Sequence, residues 1–97
     1  MSKSKEAATK AIIAAIKDLF PWDAQAAEES IVQGDPWGWG AEVATITTEN
    51  CLGCLNNNEA DWLSNTIRIQ QHVKQKAGIN IFIECYNPAI HNVYWDD

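Results

Sequence analysis

Between Asn58 and Gly78 the chain carries helix signals at both ends, and no other segment constrains the fold as much. Asn58 with Asp61 three residues later has the pattern of a capping box, with Asp in place of the usual Glu or Gln. Lys74 and Lys76 fall where the negative end of a helix dipole favours cations, and Gly78 suits a left-handed C-cap. Trp62, Leu63, Thr66, Ile69, Val73 and Ala77 share one helical face; Asp61, Ser64, Arg68, Gln71, His72 and Gln75 share the other. Ile67, Ile69 and Val73 also alternate with period two, so Thr66 to Val73 has a rival reading as a strand. The caps favour the helix.

A second helix is expected near the N-terminus. Ser4 can cap it, and Ala8, Ile12, Ile13, Ile16, Leu19 and Phe20 recur at helical spacing with Lys3, Lys10 and Lys17 opposite. Pro21 stops it, because proline lacks an amide proton and clashes with the preceding turn. A shorter helix starts at Asp23, whose carboxylate can accept from free amides one turn on. Ala24, Ala27 and Ile31 give it an apolar stripe, Glu28 and Glu29 face water, and Gly34 is its expected C-cap ahead of Asp35-Pro36.

The strands read less evenly. Ala41 to Thr48 is rich in β-branched residues, but its alternation is weak and leaves the buried face open. Ile79 to Tyr86 is clearer, with Ile79, Ile81 and Ile83 on one side and Asn80, Phe82 and Glu84 on the other. Asn87-Pro88 opens a turn that includes His91, and Asn92 to Trp95 closes a hairpin. The expected order is α-α-β-α-β-β in one α+β domain over residues 1–97. The β-α-β crossover places its two strands in parallel, giving a mixed three-stranded sheet packed by helices. Ile12, Ile16, Leu19, Phe20, Trp62, Leu63, Ile69, Val73, Ile81 and Ile83 form the expected core.

Charge is distributed more tellingly than it totals. The net charge is −6 over 97 residues. Residues 18–67 hold nine acidic residues and not one Lys or Arg. Such a balance argues against direct nucleic-acid binding, and the unbroken acidic stretch reads either as a solubilising surface or as a field that meets a basic partner. Apolar runs are too short to span a bilayer, and no apolar segment with a cleavage site follows the basic N-terminus, so a cytoplasmic, membrane-free protein is expected.

Only Cys51 and Cys54 have chemical spacing. Two thiolates three residues apart can hold one Zn²⁺ from a tight turn, which Gly53 permits, but a tetrahedral site needs two more ligands from Cys85, His72 and His91, none at finger-like spacing. Redox use of the pair needs a helix starting at the first thiol, and Leu55-Asn56-Asn57-Asn58 does not begin one. Oxygen ligands cluster at Asn56, Asn57, Asn58, Glu59 and Asp61 without the spacing of a calcium loop. Hydrolytic and phosphate-binding motifs are absent, and no cofactor is expected.

These features point to a small, acidic, non-enzymatic protein-binding module. Asp23, Glu28, Glu29, Asp35, Glu42, Glu49, Glu59 and Asp61 would supply its field, and Trp37 and Trp39, in a glycine-bounded loop, its anchors. In composition alone, with no motif carrying the likeness, the chain is similar in kind to small inhibitors of phages and mobile elements. Among these are anti-CRISPR and anti-restriction proteins that occupy nucleic-acid sites with acidic surfaces, and toxin-neutralising immunity proteins. That likeness implies a protein partner with a basic surface. The alternatives are a metal-binding or redox domain on Cys51 and Cys54, a calcium-binding acidic protein, and an oligomerisation protein that uses its sheet edge.

Overall fold

The computed structural model describes residues 5–34, 42–49, 52–56 and 58–95. The expected cap Ser4 lies outside them. Helix α1 spans Lys5–Leu19 and buries Ala8, Thr9, Ile12, Ala15 and Ile16. Thr9 is tolerated inside because its hydroxyl donates to the Lys5 carbonyl at 2.7 Å. Pro21 ends the helix as expected and opens a 3₁₀ turn, Pro21–Asp23, that leads into α2, Ala24–Ser30.

Helix α2 passes straight into a strand that the sequence did not announce, β1, Ile31–Gln33. Ile31 pairs with Ile46 and Gln33 with Ala44 of β2, Ala44–Thr47. Gly34 does adopt a left-handed conformation, φ 72°, but it ends β1 rather than capping α2. Its amide donates to the Val43 carbonyl, and its carbonyl accepts from the Thr45 hydroxyl. Two β-branched residues following α2 gain more from extended pairing than from a further helical turn.

Helix α3, Glu59–Ala77, has both expected caps. Asn58 Oδ1 accepts from the Asp61 amide at 3.0 Å, and Asn58 Nδ2 donates back to Asp61 Oδ2 at 3.0 Å. Gly78, φ 68°, closes the other end. The rival strand over 66–73 is thereby excluded.

Strands β3, Ile81–Asn87, and β4, Ile90–Trp95, form the expected hairpin, with β4 starting two residues earlier. The α+β class holds, but the sheet has four strands in the order β1-β2-β4-β3, and every pairing is antiparallel. It is therefore not mixed. Strands β2 and β3 run in the same direction, as a crossover through α3 requires, but β4 lies between them and pairs with both.

Ile31, Ala44, Ile46, Val93, Ile81 and Ile83 share one face of the sheet and join Ile12, Ile16, Phe20, Ile69 and Val73 in a single core. Leu19 and Trp62 pack against it half-buried, and Leu63 is exposed, against expectation. Leu63 lies about 100° round the helix from Trp62, which turns it from the core to the flank of α3. Val43, Ile46, Leu52, Leu55 and Val93 complete the core beyond the residues expected.

Candidate interaction surface

Asp23 occupies the N-cap position of α2, yet its side chain makes no cap hydrogen bond. Its carboxylate instead accepts from the Gly53 amide at 3.0 Å and the Cys54 amide at 2.9 Å. These are the opening amides of a second 3₁₀ turn, Gly53–Leu55. Asp23 is buried and ties residues 30 positions apart in sequence, so it cannot face a partner. Gly53 allows the approach, since a Cβ there would lie 3.2 Å from Asp23 Oδ1. Asn65 of α3 fixes the same turn by donating to the Cys54 carbonyl at 2.8 Å.

Cys54 is buried, and its thiol is pushed up to about 12 by burial first and by the Asp23 charge second. A thiol held protonated to that degree is a poor nucleophile. Cys51 lies outside the described residues. Among the described residues, no three His, Cys, Asp or Glu side chains converge to hold a metal ion. Of the oxygen ligands expected at Asn56, Asn57, Asn58, Glu59 and Asp61, Asn58 and Asp61 are engaged with each other in the α3 cap, and Asn57 lies outside the described residues.

His91, expected in a solvent-facing turn, is fully buried on β4. It shares the inner face with Val93, stands opposite Ile46 and Cys85, and packs edge-on to Trp62 at 5.4 Å. Neither ring nitrogen has a hydrogen-bond partner among the described residues. Burial lowers its affinity for a proton, and the Leu55 backbone only partly offsets this. The two-residue alternation of His91 with Val93 was the overlooked signal.

The remaining carboxylates sort by position in the sheet. Ile31 pairs with Ile46 near the end of β2, so Glu28 and Glu29, just before β1, sit at that end. Glu49 follows Thr48, whose amide and hydroxyl donate to the Ala89 and Pro88 carbonyls in the β3–β4 turn at the same end. Glu59 and Asp61 open α3 there too; Glu59 lies close enough to Cys85 that its charge, after burial, helps raise the thiol. All five are exposed. Glu28 pairs with Lys17, and Glu29 accepts from Gln25.

Four cations among the described residues lie at the opposite end, whereas Lys17 is paired with Glu28 at the acidic one. Thr9 reaches the Val43 carbonyl at the start of β2, which places Lys5 and Lys10 at that end, and Lys74 and Lys76 close α3 just ahead of β3. Glu6, paired to Lys10, and Glu42 share it. Glu42 is half-buried, with one oxygen accepting from the Tyr94 hydroxyl at 3.2 Å.

Comparison with protein-family models, with curated proteins and with solved structures finds no match to this chain. What the chain offers a partner is therefore read from its own surface. Asp35, Trp37 and Trp39 lie outside the described residues. Trp22, which the sequence did not single out, is 76% exposed, held edge-on to Phe20 at 5.8 Å while Arg68 lies over the other aromatic ring. Open depressions among the described residues include one lined by Lys17, Ala24, Gln25, Glu28 and Glu29 and one lined by α3 and the start of β3. No helix among the described residues is long and apolar enough to cross a membrane.

Proposed function

We propose that this chain is a non-enzymatic protein-binding module that turns its acidic end toward a basic partner. One observation supports the reading most: Glu28, Glu29, Glu49, Glu59 and Asp61, spread over more than thirty positions of sequence, are exposed at one end of the sheet, with Lys5, Lys10, Lys74 and Lys76 at the other. Such a separated charge orients the molecule during encounter and speeds association with a surface of opposite sign. Glu42 stands outside this field, because it sits with the cations at the opposite end; Asp35, Trp37 and Trp39, flanked by Gly34 and Glu42 at that end, stay in the proposal only as a second contact separate from the acidic one. Asp23 leaves it, because its carboxylate is committed inside the fold. A partner whose basic surface ordinarily holds nucleic acid fits this chemistry, and occupying that surface makes the module an inhibitor.

Parallel capture on the wild-type chain and on a Glu29→Lys/Glu49→Lys variant tests the reading. Both positions are exposed, so the variant keeps its fold. A basic protein retained by the wild type, lost from the variant and released by moderate salt is the expected result. Partners retained equally by both would refute the proposal.

A further inference from the structure

Strand β3 is one edge of the sheet, with seven residues against three in β1 at the other edge. Val93 turns its carbonyl to β2, where it accepts from Val43. Its partner Ile83 therefore turns its own backbone groups away from the sheet, as do Ile81 and Cys85 two residues either side. Among these three outward amides, Ile83 has an acceptor: Gln70 Oε1, reaching down from α3 at 2.9 Å. Leu63 and Ile67 lie on the same flank of α3, 44% and 51% exposed beside this edge. A bulge between Cys85 and Asn87 limits the pairable stretch to Ile81–Cys85.

The stretch is self-complementary. Antiparallel pairing of two copies about Ile83 sets Ile83 against itself, Ile81 against Cys85, and Phe82 against Glu84 of the second copy, with no like charges opposite. It also brings the exposed Leu63 and Ile67 of both copies to the seam. The Ile83 amide is the central donor of that pairing, and in each copy Gln70 already occupies it.

We infer that Gln70 is a latch that keeps the β3 edge from pairing with β3 of a second copy. An edge strand with open amides is a template for another strand, and occupying its central donor removes the bond on which the pairing is centred. The latch is independent of the acidic end, so its failure leaves the proposed partner binding untouched.

Sedimentation velocity over a concentration series tests it on three chains: wild type, Gln70→Met and Gln70→Met/Phe82→Glu. Methionine keeps the length of the side chain and lacks the carbonyl acceptor. The wild type stays monomeric, and Gln70→Met dimerises. The double variant returns to monomer, because it sets carboxylates opposite one another at two places in the seam. A monomeric Gln70→Met, a dimeric double variant, or a wild type that dimerises as readily as Gln70→Met would each overturn the inference. Hydrogen exchange on the wild type decides it without any variant. The Ile83 amide should exchange roughly five- to tenfold more slowly than those of Ile81 and Cys85, the factor one net hydrogen bond sets; equal rates would overturn the latch.

Discussion

Truncating Asp23 to Ala should loosen the fold well away from its own helix. The carboxylate accepts two amide hydrogen bonds, at 3.0 and 2.9 Å, and is buried. A hydrogen bond to a charged group contributes about 1.5–3 kcal/mol, so two contribute ~3–6 kcal/mol. Removing a buried carboxylate also relieves its desolvation, and water can reach the half-exposed Gly53 amide. The net loss should be about 2–4 kcal/mol. For a domain of this size each kcal/mol moves the melting midpoint by ~4–8 °C, so Asp23→Ala should melt roughly 8–32 °C lower by calorimetry or circular dichroism. Asp23→Asn keeps one acceptor but sets an NH₂ against an amide, and should fall between the two. Cys54 gives a second readout: its thiol, held protonated by burial and by Asp23, should react slowly with a disulfide reagent in the wild type and faster in Asp23→Ala as the 52–56 turn opens. A variant that melts within a few degrees of wild type and leaves Cys54 equally protected would refute the view that Asp23 ties the two 3₁₀ turns.

Asn58→Ala removes both arms of the α3 cap and should cost about 1 kcal/mol in a denaturant melt, while Asn58→Asp keeps an acceptor for the Asp61 amide and should cost less. His91 binds a proton less readily when folded than when unfolded, because its burial outweighs what the Leu55 backbone returns. Its contribution is fully present above about 6.5, the unfolded value, and declines as pH falls below it, by at most ~1.4 kcal/mol per pH unit. The melting midpoint of His91→Phe should be less sensitive to pH between 7 and 5 than that of wild type. Ile46→Ala, which empties a fully buried site on a central strand, should cost about 2–5 kcal/mol, measurable by the same melts.

The parts of this fold that could be read from sequence are those governed by local physics. Pro21 stops α1, Asn58 and Gly78 bound α3, and the alternation through Ile81 and Ile83 marks β3, because each needs only near neighbours. The parts that escaped depend on distant chain. Asp23 stands where a cap belongs, but two amides thirty residues on are the better donors. β1 is three residues long and exists because Ile46 is there to pair with Ile31. Strand β2 blurs its alternation because it lies inside the sheet, with Thr45 and Ile46 buried on opposite faces. Leu63 matched the apolar stripe and still faces out, since it overshoots onto the flank beside β3. The acidic stretch was plain as a run of residues, but the gathering of Glu28, Glu29, Glu49, Glu59 and Asp61 at one end of the sheet follows from strand register, which no local pattern encodes.

The proposed role of this acidic end is to steer association with a basic protein. With a partner obtained by differential capture, stopped-flow association rates should be measured from 0.01 to 0.15 M salt, over which the Debye length shrinks from ~30 Å to ~8 Å. The wild-type rate should fall steeply across that range, and the Glu29→Lys/Glu49→Lys rate should be slower at low salt and nearly flat. A wild-type rate that ignores salt and is matched by the variant would contradict that role, and would leave the carboxylates as surface charge alone.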